Sequence, residues 1–111
     1  MPVKPPKNCV DKLKVLADSV RLSVLEALLC GPSHVGTLAE TLGISQSLLS
    51  HHLQVLRRER LVEAKRDGKA VLYSLSSKAR PGAGKKVLHL GCCDLQFGDL
   101  IALEWGNDGL G

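Results

Sequence analysis

The stretch that decides the fold runs from Ile44 to Leu75 and reads ISQSLLSHHLQVLRRERLVEAKRDGKAVLYSL. The apolar positions of its first half are Leu49, Leu53 and Leu56. This spacing of three and four predicts an amphipathic helix, and Ser45 is suited to cap its N-terminus. After Leu61 the period drops to two on both sides of Asp67-Gly68, a dipeptide typical of tight hairpin turns. The stretch therefore predicts a helix followed by a β-hairpin.

A shorter helical pattern precedes this stretch and is separated from it by a tight turn. Its apolar positions are Val35, Leu38, Ala39 and Leu42. Ser33 is the predicted N-cap of this helix and Gly43 its C-terminal residue, with Ile44 filling the corner. Two short helices joined by a glycine-containing turn form a helix-turn-helix. With the hairpin they predict a mainly α (α+β) winged helix-turn-helix with a two-stranded wing.

The residues before Ser33 also have a helical pattern. From residue 11 to 29 the apolar side chains recur at spacings of three and four, and Asp18 is placed to cap the second of two helices. Gly31-Pro32 ends that second helix. The opening MPVKPPKN predicts a flexible arm. The predicted organisation is thus an arm over 1–10, a winged domain over 11–80 and a C-terminal segment over 81–111.

Length and charge narrow the class of protein. The 111 residues suffice for one domain, and the net charges of residues 1–30, 31–80 and 81–111 are +2, +4 and −2. A basic middle segment favours a polyanion such as nucleic acid as partner. No apolar run is long enough for a membrane span, and the N-terminus lacks the apolar stretch of a signal peptide. We therefore expect a cytoplasmic protein with no membrane partner, whose four cysteines are reduced.

Three segments of the chain resemble the ArsR/SmtB family of bacterial metal-responsive repressors. They are LADSVRL from Leu16, the Ser-x-Ser-x-x-Ser-x-His-Leu-x-x-Leu pattern of Ser45 to Leu56, and GKAVLYSL from Gly68. The resemblance covers about residues 11–76. It implies a homodimeric winged helix that binds double-stranded operator DNA and leaves when an inducer binds. It also implies no enzyme activity and no catalytic cofactor.

The predicted second helix of the helix-turn-helix carries the candidate DNA-binding residues. Short polar side chains on its outer face would let the helix approach base edges in the major groove, while basic residues at its end and in the wing would hold phosphates. The predicted base and phosphate readers are Ser45, Gln46, Ser47, Ser50, His51 and Gln54, and the predicted phosphate holders are Arg57, Arg58, Lys65, Arg66 and Lys69. His52, by the family pattern, should pack inward as a hydrogen-bonded structural histidine.

Two inducer sites of the family lack their ligands in this chain. A common arsenic pattern, Cys-Val-Cys-Asp-Leu, aligns with HVGTL, where His34 and Gly36 replace both cysteines. The family's zinc pattern after the wing uses Asp and His, but Ser77 and Ala79 stand in those places. An inducer site, if present, must lie elsewhere.

The adjacent thiols of Cys92 and Cys93, with Cys9 before the first predicted helix, are the candidate inducer ligands. Two vicinal thiolates can chelate a soft trivalent ion, and a third sulfur would complete the trigonal pyramid that As(III) or Sb(III) prefers. Whether Cys9 comes from the same or the partner subunit stays open. Alternatives are a disulfide or polysulfide switch on the same thiols, a Zn/Cd site with His89, or plain packing. Cys30 is predicted to be a packing residue.

The segment around the paired cysteines permits other interpretations. KVLHLGCCDL resembles the first motif of S-adenosylmethionine-dependent methyltransferases, but Cys93 and Leu95 occupy two of its glycine places and too few residues follow for a sheet domain. An enzyme is therefore not predicted. Family dimers pair through a C-terminal helix, yet β-compatible residues precede Gly91, so helix and strand both stay open for 85–105. On a regular strand, neighbouring thiols would face opposite ways.

Overall fold

A computed structural model describes residues 7–80 and 86–98, without the side chains of residues 7 and 8. Its helices are α1 (Lys7–Leu16), α2 (Ser19–Leu29), α3 (Val35–Leu42) and α4 (Gln46–Arg58). Its strands are β1 (Ser33–His34), β2 (Val62–Asp67), β3 (Ala70–Leu75), β4 (Val87–His89) and β5 (Asp94–Gln96). This order of elements confirms the predicted winged helix-turn-helix, with β2 and β3 as the wing. Among the described residues, no helix is long and apolar enough to cross a membrane.

The predicted caps of α2 and α4 are present. Asp18 Oδ1 accepts hydrogen bonds from the backbone N–H groups of Val20 at 2.9 Å and Arg21 at 3.0 Å. The hydrogen bond from the Arg21 N–H holds the pKa of Asp18 below its usual value of 3.8. Ser45 Oγ accepts a hydrogen bond from the N–H of Leu48 at 3.1 Å. These side chains satisfy donors that a helix N-terminus would otherwise leave unpaired.

The turn before α4 follows the prediction, but the start of α3 does not. Gly43 ends α3 in the left-handed conformation with φ 70°, which a residue without Cβ adopts at little cost. The N-cap of α3 is His34, whose side chain makes no capping bond. The prediction of Ser33 as the cap was wrong because Ser33 belongs to β1, where it pairs with Tyr73 of β3.

The wing is the larger part of a three-stranded antiparallel sheet in the order β1-β3-β2. Its last pair is Asp67 with Ala70, so the two turn residues are Gly68 and Lys69. Gly68 has φ 66°, which suits its position after β2. The turn therefore lies one residue later than the predicted Asp67-Gly68 centre. The sequence analysis did not predict β1, because a strand of two residues is too short to show an alternating apolar pattern.

Leucine and valine side chains from all the helices and the sheet fill one core. Leu49, Leu53 and Leu56 of α4 are fully buried, as the periodicity predicted. His52 lies among them with 8% exposure, and its Nδ1 accepts a hydrogen bond from Arg21 Nη1 at 3.3 Å. The expectation of an inward, hydrogen-bonded histidine is confirmed. Because a guanidinium can only donate, this contact requires a lone pair on His52 Nδ1.

Part of the segment that was predicted to be a flexible N-terminal arm is helical. Residues 7–10, assigned to the flexible arm, are helical, since α1 begins at Lys7. The physical reason is that the last proline of the opening segment is Pro6, and proline restricts only the residue before it and its own backbone. The rest of the predicted arm lies outside the described residues. Lys12 Nζ of α1 donates to the carbonyl oxygen of Glu59 at 3.0 Å, which ties α1 to the end of α4.

The C-terminal segment forms a second hairpin, β4–β5, which we call the C-terminal hairpin. Leu88 and Leu90 are buried in the common core with exposures of 0% and 2%. His89 N donates to the carbonyl oxygen of Ala79 at 3.0 Å, so the hairpin also bonds to the winged domain. Within residues 86–98, the open choice between helix and strand is thus decided for two short strands, 87–89 and 94–96, joined by a turn. Residues 85 and 99–105 lie outside the described part of the chain.

Candidate DNA-binding face and three-thiol site

The outer face of α4 exposes the side chains that the sequence analysis assigned to DNA. Every predicted reader on this helix is exposed to solvent, namely Ser45, Gln46, Ser47, Ser50, His51 and Gln54. The buried leucine stripe holds the opposite face against the core, which leaves this polar face free. Ser45 differs from the others because its hydroxyl caps the helix. We call these six residues the recognition face.

One apolar residue beside the recognition face was missed by the sequence analysis. Leu48 is 43% exposed, although it stands directly before a fully buried leucine. The signal was present in the sequence, since position 48 does not fit the buried stripe of positions 49, 53 and 56. An exposed aliphatic side chain there has the chemistry to contact a thymine methyl group.

The basic residues of the wing are exposed and close to its turn. Lys65, Arg66 and Lys69 all face solvent, as the prediction of phosphate holders requires. Asp67 at the same tip contacts His34, with His34 Nε2 and Asp67 Oδ2 2.8 Å apart. This contact joins the wing to the start of α3 across 33 residues of sequence. Sequence reasoning missed it because no local pattern links the two positions.

Basic residues follow the recognition face at the end of α4 and at the base of the wing. Arg57 and Arg58 are exposed in the last turn of α4. Arg57 also lines an open cavity of about 520 Å³ at the base of the wing, together with Arg60, Glu63 and Lys78. Positive charge therefore continues from α4 onto the wing base.

The candidate inducer residues come together at one place. Cys9 of α1 and Cys92 are joined by a disulfide, with their Cα atoms 5.5 Å apart. The expectation that all four cysteines are reduced was therefore wrong for this pair, because the fold places α1 beside the turn after β4. Cys93 Sγ lies 3.6 Å from Cys92 Sγ, and all three sulfurs lie within 4.8 Å of one another. We call Cys9, Cys92 and Cys93 the three-thiol site. All three residues belong to one chain, so the site can be assembled within a single subunit.

The turn of the C-terminal hairpin explains how adjacent cysteines converge. Residues 90–93 connect β4 to β5, and Leu90 N donates to the carbonyl oxygen of Cys93 at 2.9 Å. Gly91 takes φ 92°, a backbone conformation that suits a residue without Cβ. Because both cysteines lie in this turn, the alternation of a regular strand does not separate their sulfurs.

A histidine and an aspartate brace the base of the same turn. His89 and Asp94 are paired across β4 and β5, and His89 Nδ1 lies 2.8 Å from Asp94 Oδ1. The group of close metal-ligating atoms in the described residues contains the three cysteine sulfurs and does not include His89. His89 is instead paired with Asp94 on the strands beside the turn.

The four cysteines differ in exposure. Cys9 and Cys92 are half-buried, whereas Cys93 is exposed at the surface of the turn. Cys30 is exposed at the C-cap of α2, so its prediction as a packing residue was wrong. The reason is that Cys30 follows the last residue of α2, beyond its buried positions Val24, Leu25 and Leu28, and is exposed there. Cys30 does not belong to the three-thiol site.

Comparison with known proteins places the chain in a family. Residues 18–64 match the sequence profile described as bacterial regulatory protein, arsR family. The structure of reduced HlyU from Vibrio cholerae superposes with a TM-score of 0.61 and 43% identity, covering 63% of this chain and 74% of that one. A homodimeric winged helix-turn-helix DNA-binding domain from Mycobacterium bovis, described as a possible ArsR-family regulator, gives a TM-score of 0.61 at 31% identity, covering 63% of this chain and 65% of that one.

Curated transcriptional regulators are also similar to this chain. The arsenical resistance operon repressor of Staphylococcus aureus is 41% identical over 64 residues, which are 58% of this chain and 62% of that protein. The chain spans only 55% and 60% of the length of two further curated relatives. The matched region contains the helix-turn-helix, with all six residues of the recognition face, and the start of the wing. The chain therefore belongs to the arsR family of bacterial transcriptional regulators, a family of DNA-binding proteins and not of enzymes.

Proposed function

We propose that this protein is a homodimeric, operator-binding repressor that leaves its DNA when As(III) or Sb(III) binds Cys9, Cys92 and Cys93. The observation that carries the proposal is the convergence of these three sulfurs within 4.8 Å in a single chain. A separate surface, the recognition face with the wing, supplies the DNA contacts. The protein thus combines a DNA-binding surface with a soft-ligand site on different elements.

The DNA contacts follow from shape and charge. An α-helix fits the major groove of B-DNA, and the exposed amide of Gln54 and hydroxyl of Ser50 are groups that can hydrogen-bond base edges. The exposed cations of the wing and of the last turn of α4 can neutralise phosphates. The proposed homodimer would present two such faces to a two-fold operator, and the Mycobacterium bovis relative is described as homodimeric.

The inducer chemistry follows from the number and kind of ligands. Sulfur ligands select soft ions, and three thiolates arranged around one point suit a trigonal-pyramidal trivalent ion. When arsenous acid reacts with three thiols, three As–S bonds form and three waters leave. Both sulfurs of the Cys9–Cys92 disulfide must first be reduced, because a disulfide sulfur is not a thiolate ligand. The proposal therefore applies to the reduced protein.

The site is placed to act on the position of α1. One ligand lies on α1 and two lie on the C-terminal hairpin, so a bound ion would join these two elements. Lys12 connects α1 to the end of α4, which gives a direct route from the thiols to the recognition helix. If the ion prefers the weak-binding arrangement, a coupling of about 1–3 kcal/mol lowers operator affinity about 5- to 150-fold. By reciprocity, operator DNA weakens As(III) binding by the same factor.

A second candidate function is a thiol-redox repressor of the same fold. The observation that favours it is the disulfide between Cys9 and Cys92. In this version two thiols lose two protons and two electrons to an oxidant, and the new covalent bond joins α1 to the C-terminal hairpin. The inducer would then be an oxidant and not a metalloid.

One experiment separates the two candidates. Reduced protein is bound to a fluorescent duplex selected from a random pool and is titrated with arsenite or with diamide, a thiol oxidant, while anisotropy reports release. Cys93→Ser should lose the arsenite response, since it removes one of three ligands, and should keep the diamide response, since Cys9 and Cys92 remain. Cys30→Ser is the matched control with an unrelated exposed thiol. Arsenite release that persists in a Cys92→Ser, Cys93→Ser double variant would refute metalloid sensing at this site.

A further inference from the structure

We propose that Cys93 is a relay thiol, through which low-molecular-weight disulfides oxidise the Cys9–Cys92 pair. The activity is thiol–disulfide exchange, and its co-substrate class is a small symmetrical disulfide. The inference deepens the redox version of the proposed function, on which its regulatory meaning rests. The exchange reaction itself can be measured without DNA.

The first support is the difference in access among the three sulfurs. Cys93 is exposed, whereas both members of the disulfide are half-buried. Attack on a dissolved disulfide needs a thiolate that can approach one of its sulfurs in line, so access limits which thiol reacts first. Cys93 is the member of the site that meets this condition best.

The second support is the distance from Cys93 to both other sulfurs. Its Sγ lies 3.6 Å from Cys92 Sγ and no more than 4.8 Å from Cys9 Sγ. Cys30, the other exposed free cysteine, is not part of this group. A mixed disulfide formed on Cys93 is therefore next to the two thiols that become oxidised, and one formed on Cys30 is not.

The relay proceeds by exchange steps that balance. The Cys93 thiolate attacks one sulfur of the small disulfide, a Cys93–S–S–R bond forms and one RS⁻ leaves. Cys9 then attacks Cys93 Sγ, giving a Cys9–Cys93 bond and releasing the second RS⁻. Cys92 attacks Cys9 Sγ, forms the observed Cys9–Cys92 disulfide and returns Cys93 as thiolate. Overall two protein thiols are oxidised, one small disulfide is reduced to two thiols, and Cys93 is unchanged.

The geometry of the chain explains why Cys93 is not part of the final bond with Cys92. Neighbouring residues have Cα atoms about 3.8 Å apart across a trans peptide, whereas disulfides usually span about 4.4–6.8 Å. The Cys9–Cys92 Cα distance of 5.5 Å lies within that range. Cys9 and Cys92 are the pair that is joined in the structure, and Cys93 is left free for another cycle.

The test follows oxidation of the fully reduced protein by oxidised glutathione. Samples are quenched by acid, alkylated and mapped by mass spectrometry to give the rate of Cys9–Cys92 formation. Cys93→Ser should slow this rate by about tenfold or more while the same disulfide forms at the end point, because only the accessible first thiol has been removed. Cys30→Ser should react at the rate of the unaltered protein.

A trapping variant gives an independent measurement. In Cys9→Ser the attacking thiol is absent, so a glutathione adduct should accumulate on Cys93. Oxidation of Cys93→Ser at an unaltered rate, or an adduct that accumulates on Cys92 in place of Cys93, would overturn the relay. If the oxidation rates are as expected but oxidised protein binds DNA as tightly as reduced protein, the thiol-redox repressor function is contradicted, while the thiol–disulfide exchange through Cys93 is supported.

Discussion

The DNA-binding half and the C-terminal hairpin differ in how far apart along the chain their functional residues lie. The recognition face and the wing cations all come from residues 45–69, within one helix and one hairpin. The three-thiol site joins α1 to a turn 83 residues later. The first surface is therefore organised by local structure, and the second depends on docking of the hairpin against the domain. Changes in the two regions should have separable effects.

The largest effect should come from removing a core side chain beneath the recognition face. Leu53 is fully buried, so Leu53→Ala should lower the free energy of unfolding by about 2–5 kcal/mol through lost burial and a residual cavity. Urea denaturation followed by circular dichroism measures the loss. DNA binding should fall with it, because the recognition helix packs through this residue.

Leu88→Ala is the matched change in the C-terminal hairpin, since Leu88 is equally buried. It should loosen the hairpin and slow formation of the Cys9–Cys92 disulfide, while DNA binding by the reduced protein is kept. Equal loss of DNA binding in both variants would show that the two regions form one cooperative unit.

The next effect concerns the choice of DNA sequence. Replacing Ser50 and Gln54 together by alanine should abolish discrimination between the selected duplex and random DNA, because base-edge hydrogen bonds contribute about 1–3 kcal/mol each. Anisotropy titrations of both duplexes at one salt concentration measure the ratio. Specificity that is unchanged in this variant would contradict the assignment of the recognition face.

A wing substitution should affect all DNA sequences alike. Arg66→Ala removes an exposed cation at the wing, so it should weaken specific and random duplexes equally and lower the salt slope by about one unit. The measurement is the affinity at four or more salt concentrations. A matched control is Lys14→Ala on α1, whose exposed side chain lies outside the proposed DNA surface and should leave the slope unaltered.

The smallest effect is the pH dependence contributed by the cap of α2. The pKa of Asp18 is lowered in the folded protein, so its stabilisation is present above about pH 4 and is lost as the pH falls through the folded pKa. Asn also caps helices but does not titrate, so Asp18→Asn should remove this part of the pH dependence at a cost of less than about 1 kcal/mol at pH 7. Urea titrations between pH 3 and 7 test it, and parallel curves for both proteins would exclude the effect.

Sequence patterns predicted most of the winged domain for a physical reason. The caps Asp18 and Ser45, the end of α3 at Gly43 and the buried face of α4 all depend on residues within a few positions of one another. Such short-range interactions leave a periodic signal in the sequence. The exposure of the recognition face follows directly from that periodicity, since its polar side chains lie on the face of α4 opposite the buried leucines.

What the sequence by itself determined was the set of helices, the wing and the residue types available for DNA and for soft ligands. Tertiary structure alone decided the strand β1, the contact between His34 and Asp67, and the strand conformation of residues 87–89 and 94–96. It also brought Cys9 beside the paired cysteines of the turn. Most of these features depend on pairing or packing between segments far apart in the chain, so no local pattern encodes them. The C-terminal hairpin is held by the burial of Leu88 and Leu90, and this burial exists only in the folded domain.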